Sequence, residues 1–292
     1  MIQVDLLATN GSSFDLRNGP VRLGAEGTKG LLNLLKSTAF TRQSGSRDGQ
    51  LVDGFQVPAQ SLSLPLKWGT DYSPAETFET IDSRLWEALL PTETNTLRVR
   101  DTVRGSTRTV GIRLDDDGYA MGFDPTDIGM DEATMSFVAD DPWWRAAPIT
   151  IPFGTATGSP FYGATGFGPP FYISAANSSG VQPITNPGHA PAAPFWDLAG
   201  PITGFTLNVG GSILDMAAAN ILQGEHLYID NDPAVLRAWR VKTDGTVVEE
   251  TQNLATWGFT TIPKGTTTSV RADIIGTGIA TMRIVPRFYR AV

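Results

Sequence analysis

Cysteine is absent from the 292 residues, which excludes a disulfide framework, a thiolate metal site and a cysteine nucleophile together. Histidine is nearly absent: His189 and His226 are the two. A Ser/His/Asp set needs an imidazole within reach of its nucleophile, and no G-x-S-x-G elbow accompanies either residue. No apolar run approaches the ~18 residues of a membrane-spanning helix, so membrane insertion is not expected. The opening stretch MIQVDLLATNGSSFD holds two acids and no basic n-region, so a secretory signal is not expected. Positive charge is in deficit, 22 Lys and Arg against 30 Asp and Glu, net −8. That balance argues against non-specific nucleic-acid binding.

What is present is 41% apolar residues, enough for a sizeable core, with 31 glycines and 20 prolines. The excess of Gly and Pro favours many short elements joined by turns over long helices. At ~150 residues per domain the length suggests about two domains. Charge divides the chain as well. Residues 1–147 carry 14 Lys and Arg against 21 Asp and Glu, net −7; residues 148–292 carry 8 against 9, net −1. Between Ala146 and Gly224 the charged residues are Asp197 and Asp215. We therefore expect an N-terminal domain over 1–147, a Gly/Pro/aromatic connector or arm over 148–183, and a C-terminal domain over 184–292. The connector carries Phe153, Phe161, Tyr162, Phe167, Phe171 and Tyr172. Six aromatic rings left in water cost roughly 25 cal/mol per Å² of apolar surface, so this stretch is expected to pack on its own domains or on a neighbouring subunit.

Asn-Gly and Asp-Gly pairs at residues 10–11, 18–19, 48–49, 53–54, 117–118 and 244–245 suit the positive-φ positions of tight hairpins. Period-2 alternation at 61–66, 97–100, 110–114, 205–209, 227–230 and 282–285 reads as short strands, the signature of sandwiches or barrels. One helix is expected over 74–90. Ser73-Pro74-Ala75-Glu76 combines a capping box with proline at the first helical position, and Phe78, Ile81, Leu85 and Ala88/Leu89 recur at helical spacing. Residues 30–38 read as a short helix or a buried strand. The fold class is mainly β: an N-terminal split-barrel or sandwich-like domain with one helix, then a C-terminal β-sandwich.

Chemistry is sparse. Asp115-Asp116-Asp117-Gly118 is the densest acidic run and is expected at a solvated hairpin tip. Paired carboxylates would be the requirement of a glycoside hydrolase, and neither half offers an obvious pair. Asp230-Asn231-Asp232 offers oxygen ligands but lacks the glycine and bidentate Glu of an EF-hand. The run 163–168 is glycine-rich without dinucleotide or phosphate-loop spacing. No cofactor, no metal and no enzymatic activity are expected. Of the seven tryptophans, Trp86, Trp143 and Trp144 are expected at core or subunit interfaces, together with Phe161, Tyr162, Phe167, Phe171 and Tyr172 of the connector. Tyr228, Trp239 and Trp257 are candidates for a sugar-stacking platform.

The order of these features resembles the distal tail (Dit) or minor tail protein family of long, non-contractile-tailed bacteriophages. The resemblance rests on Asp48-Gly49-Gln50, the alternating run 57–66, the helix ending Leu85-Trp86-Glu87-Ala88-Leu89-Leu90, the strand 97–100, the basic pair at 104–110, and Phe137 followed by Asp140-Asp141-Pro142-Trp143-Trp144. In the second half it rests on Asn186-Pro187-Gly188-His189, on 194–201 and 224–230, and on the closing 262–265 and 285–289. It implies a galectin-like or jelly-roll second domain and a homo-oligomeric ring, hexameric in the family. That ring joins the tail tube and tape-measure protein to a receptor-binding hub in the virion, after synthesis in the host cytoplasm, and DNA passes through it without specific binding. Under that reading Asp115, Asp116, Asp117, Asp124, Asp127, Asp131 and Glu132 are candidates for channel or ring-edge acids. The alternative is a carbohydrate-binding module acting through the C-terminal sandwich.

Overall fold

The computed structural model describes residues 1–24, 28–32, 35–43, 50–73, 75–119, 124–153 and 177–292. The chain forms two compact units, Met1–Ala147 with Phe288–Val292, and Pro148–Arg287. The interface candidates Phe161, Tyr162, Phe167, Phe171 and Tyr172 lie outside the described residues.

The first unit contains β1 (Ile2–Leu7), β2 (Ser13–Asp15), β3 (Val21–Leu23), β4 (Thr38–Gln43), β5 (Gln50–Gln56), β6 (Gln60–Gly69), α1 (Phe78–Ala88), β7 (Asn95–Asp101), β8 (Ser106–Asp116), α2 (Pro125–Ile128), β9 (Met130–Ala139) and β10 (Trp144–Arg145). Its sheet runs β2-β1-β7-β8-β9-β6-β3. β8 joins the two halves. Its first part pairs with β7 from Ser106 to Ile112, and its end pairs with β9 from Arg113 to Asp116. A register shift between Leu114 and Asp116 marks the change of direction, as a bulge does when it bends a strand. The strict alternation of β7, Asn95, Leu97, Val99 and Asp101 inward, closes one side of a core that also holds Leu64, Trp68, Met135 and Phe137.

The α1 face is the one the spacing predicts: Phe78, Ile81, Leu85 and Ala88 are buried. Its start is different. Thr77 is the N-cap, accepting from the Thr80 N–H at 3.4 Å. The Ser73 hydroxyl instead donates to the Glu76 carboxylate at 3.1 Å, so the expected capping box closes a turn before the helix. In the 30–38 stretch Leu31 is buried and Leu32 exposed, and the described residues before β4 form neither helix nor strand. β4 and β5 pair with each other alone among the described strands; Phe40 and Phe55 on this hairpin are 51% and 71% exposed.

The second unit contains β11 (Ile149–Phe153), β12 (Asn177–Thr185), β13 (Phe195–Ala199), β14 (Ile202–Val209), β15 (Ser212–Met216), β16 (His226–Asp230), β17 (Arg237–Val241), β18 (Val247–Glu249), β19 (Thr256–Trp257), β20 (Thr267–Gly276) and β21 (Ile279–Ile284), with β22 (Arg287–Phe288) at the return to the first unit. Two antiparallel sheets, β11-β21-β13-β16-β17-β18 and β12-β20-β14-β15-β19, bury one shared core that includes Trp196, Ile229, Phe205 and Ile274.

Two boundaries differ from expectation. Residues 149–153 and 177–185 are not connector but edge strands of the two sheets; Phe153 is a core residue, 5.6 Å from the Trp196 ring. The last five residues belong to the first unit, where Phe288 lies under the Arg108 guanidinium at 3.8 Å and Arg108 donates to the Arg290 carbonyl at 2.7 Å.

The Asn186-Pro187-Gly188-His189 motif is a staple of the second unit. The buried Asn186 carboxamide donates to the carbonyls of Ala190 (2.9 Å) and Ile262 (3.0 Å), and accepts from the Gly188 N–H at 2.9 Å. A Cβ on Gly188 would stand 2.9 Å from the Arg287 backbone, so only glycine lets the two segments meet.

Candidate interaction surfaces

The acidic run does not form a hairpin tip. Asp115 and Asp116 lie on β8, and the chain reaches β9 only after a further loop containing α2. The Asp116 and Asp117 carboxylates accept from the backbone N–H groups of Gly118 (3.1 Å) and Tyr119 (3.0 Å). Asp115 faces Arg113 at 3.9 Å, and Arg113 is bound more closely by Asp140 at 3.0 Å. Glu132 pairs with Lys67. Asp124 caps α2 through the Thr126 N–H at 3.0 Å, and Asp127 is exposed beside it.

Asp131 is a correction: at 7% exposure it is buried and lines no open surface of the protomer. Its hydrogen bond with the Tyr119 hydroxyl, followed by burial, raises the Tyr119 pKa. Nearby, the Asp82 carboxylate accepts from two indoles, Trp68 at 2.9 Å and Trp86 at 3.0 Å. Trp86 is half-buried edge-on against Trp68 and Tyr119.

Of the two places expected for Trp144, core or subunit interface, the structure gives the core and not the interface. The side chain is 1% exposed in the first unit's core and offers a neighbouring subunit nothing to hold. The reason is register: β10 pairs with β8 and turns this indole inward, while Trp143 lies half-buried against Tyr289 at 4.9 Å. A cleft of about 640 Å³ opens where β6 extends past β3, lined among others by Lys29, Lys36, Thr38, Gln60 and Ser136.

In the second unit the structure brings together Tyr228 and Trp239 and not Trp257. Tyr228 and Trp239 are directly opposed on β16 and β17, with ring centroids 5.5 Å apart. Trp257 is on β19 of the other sheet, 53% exposed, its indole donating to the Leu254 carbonyl at 2.8 Å. Two residues that single-strand reading missed complete the group. Phe195 on β13 stands 5.9 Å from Tyr228 and 6.0 Å from Trp239, and His226 stacks on Tyr228 at 5.8 Å. His226 Nδ1 and Asp197 Oδ1 are 2.7 Å apart, Arg237 pairs with Glu249 at 2.8 Å, and the Arg283 guanidinium lies 4.1 Å over the Phe195 ring. Burial, and then the Asp197 charge, raise the Tyr228 pKa.

His189 belongs to the staple, its N–H donating to the Arg287 carbonyl at 2.7 Å. The carboxylates of 230 and 232 are directed elsewhere, Asp230 accepting from the Asp232 N–H at 2.8 Å and Asp232 binding Arg287, while Asn231 between them is buried. Among the described residues no three His, Asp or Glu side chains gather as a metal site.

Taken together, a strand-bent first unit with α1 and the short α2, and a two-sheet second unit, make a mainly β protein. No family model and no curated protein matches the sequence. Solved structures do. The chain is similar to the Dit protein of phage SPP1, described as a paradigm of the hub adsorption apparatus in phages infecting Gram-positive bacteria, at 16% identity and TM-score 0.62 over 98% of this chain and 99% of that one. It is similar to a chain of the phage P2 baseplate in its activated conformation with Ca, at 15% identity and TM-score 0.54 over 98% of both chains. The same baseplate with Sr gives 15% identity and TM-score 0.53. The likeness to distal tail proteins that the sequence carries is thus borne out at the level of fold.

Proposed function

We propose that the protein is a structural component of a phage tail tip. It acts by assembly and without turnover, as a homo-oligomeric ring, hexameric in this reading, around the DNA channel. The observation that carries the reading is the fold likeness to SPP1 Dit across both units and nearly the full length of both chains. In this role the ring joins the tail tube and tape-measure end to a hub or receptor-binding assembly of the virion.

A ring needs two different patches on each protomer that close on one another. The β4–β5 hairpin supplies a candidate for one. A two-stranded hairpin alone is marginally stable in water, and exposed strand edges with apolar side chains invite pairing with another chain. A second copy of this chain seated on Phe40 and Phe55 would relieve both. The exposed Asp115, Asp116, Asp117 and Glu132 are compatible with a rim or lumen that repels passing DNA.

The test is coexpression with the tail-tube and tip proteins of the same phage, followed by electron microscopy and labelling of the virion with an antibody to this chain. Closed rings and label at the distal end of the tail are expected. Label elsewhere on the virion, or a monomer that joins neither partner, would overturn the proposal. Phe55→Asp is expected to block ring closure while leaving the monomer folded.

A further inference from the structure

We propose that the outer face of the six-stranded sheet is a binding site for neutral saccharide, with a pyranose ring stacking on the Tyr228–Trp239 pair and Phe195, itself covered by the Arg283 guanidinium, flanking it. The three rings come from neighbouring strands β13, β16 and β17 and form one group, with centroids 5.5 to 6.0 Å apart. The opposite sheet is built differently: Thr206 is bonded to Asp215 and Arg271 is paired with Asp273, with exposed Val181, Ile213 and Ile275, and among the described residues its aromatic contact is the lone Trp257–Phe259 pair at 6.2 Å by the β19 edge. The three-ring group with its charged frame lies on the six-stranded sheet alone.

Cross-strand pairing accounts for two rings being neighbours, but not for what surrounds them. Across β21-β13-β16-β17-β18 the register sets Thr281, Asp197, Tyr228, Trp239 and Glu249 in one row, and Arg283, Phe195, Asp230 and Arg237 in the next. Donors and acceptors thus frame the platform. They are held in place by one another: His226 by Asp197, and Arg237 by Glu249. A sugar presents an apolar C–H face and, at its edge, hydroxyls that both donate and accept, and these side chains supply both capacities.

The same pairing decides between ligand classes. Acids and bases are interspersed on the face, Asp197, Asp230 and Glu249 among Arg237 and Arg283, so neither a polyanion nor a cation gains much from it. Protein interfaces are depleted of charge at their cores, and a protein partner would have to desolvate the Arg237–Glu249 ion pair and the His226–Asp197 hydrogen bond, whose members are 36 to 49% exposed. A saccharide leaves them half in water.

The probe is a set of neutral oligosaccharides of glucose, galactose and N-acetylhexosamines, displayed multivalently and offered to the full chain, with sulfated and phosphate-bearing polysaccharides alongside. Retention of a neutral saccharide that persists in high salt is expected. Trp239→Ala should weaken it about tenfold or more, as truncation of an anchoring aromatic does. Asp197→Asn keeps the side chain's shape and should weaken it with the fold intact. Trp257→Ala, on the other sheet, should leave it unchanged. The proposal is overturned if no neutral saccharide is retained, if both face variants bind like the parent, if only anionic polymers bind and salt releases them, or if the variants abolish attachment to another tail protein instead. Ring formation is scored separately by microscopy, so its failure and the failure of sugar binding are distinguishable.

Discussion

Arg240 on β17 ties together two buried carboxylates of the second unit, and its removal has a calculable effect. The side chain is 19% exposed; its guanidinium lies 2.8 Å from Glu250 and 3.5 Å from Glu225, and donates to the Asn220 carbonyl at 2.9 Å. Both carboxylates are under 10% exposed. Arg240→Ala leaves two buried negative charges without their cation, and breaking such a pair costs about 3–5 kcal/mol. The lower figure applies here, because Glu225 still accepts from the Leu222 N–H at 3.0 Å and Glu250 from the Asn253 amide. At ~1.4 kcal/mol per decade, a loss of about 3 kcal/mol multiplies the population of the open unit roughly a hundredfold. Backbone hydrogen exchange of β16 and β20, measured by mass spectrometry, reads that population. The triple change Arg240→Met, Glu225→Gln, Glu250→Gln removes the charges together and should recover most of the protection. A change of about fivefold or less for Arg240→Ala, the worth of an exposed ion pair, would refute the view that burial makes this network essential.

Other positions give sharper readouts. Asp82→Ala strips the acceptor from two indoles, one of them the fully buried Trp68; a loss of about 1–3 kcal/mol in urea unfolding is expected, with altered tryptophan emission, and Asp82→Asn should lose less. Asn186→Ala removes three buried hydrogen bonds and should cost about 2–4 kcal/mol, which a thermal melt would detect. On the acid side, the Thr126 hydroxyl and N–H hold Asp124 below its ordinary 3.8, and the Thr251 hydroxyl and Arg237 hold Glu249 below 4.5. Their contribution is therefore complete above about pH 4.5 and is lost as pH falls through the lowered folded values. The melting temperature should stay level down to that point and then drop, less steeply in Thr126→Val. On the alkaline side, Tyr119 and Tyr228 are raised above 10.0. The unfolded chain then ionises first, so their contribution is complete below pH 10 and is lost as pH rises through the raised values. Tyr119→Phe should flatten that limb, and absorbance titration should show one late phenol fewer.

Where one strand or helix carries its own signal, the fold was legible. β7, β16 and β21 alternate throughout, β6, β8 and β14 over part of their length, and the buried stripe of α1 follows from a 3.6-residue period alone. What stayed hidden depends on residues far away in the chain. Core and subunit interface are both open for Trp144 in its charged, proline-containing stretch; β10 pairing with β8 decides for the core. Asp131 looks like one more surface acid until Tyr119, twelve residues earlier and across a loop, supplies its hydrogen-bond partner. β11 contains Pro152, which weakens a strand reading, yet proline is tolerated on an edge strand, and β11 is one. The return of the last five residues to the first unit has no local signature at all.

The aromatic face carries that lesson into function. Its members are Phe195 and Asp197 on β13, His226 and Tyr228 on β16, Arg237 and Trp239 on β17, Glu249 on β18 and Arg283 on β21. Read singly, each is an outward residue of an amphipathic strand, and the pattern that identifies a strand discards it as the solvated side. Only antiparallel register turns those discarded positions into neighbours, and a slip of one residue in any strand would send its contribution into the core. The buried alternates Trp196, Leu198, Leu227, Ile229 and Ala238 therefore do more than fill the sandwich. By fixing which residues face inward, they fix which rings meet outside. Enlarging Ala238, which is 0% exposed on the strand that carries Trp239, should disturb the platform from behind without altering a residue on it.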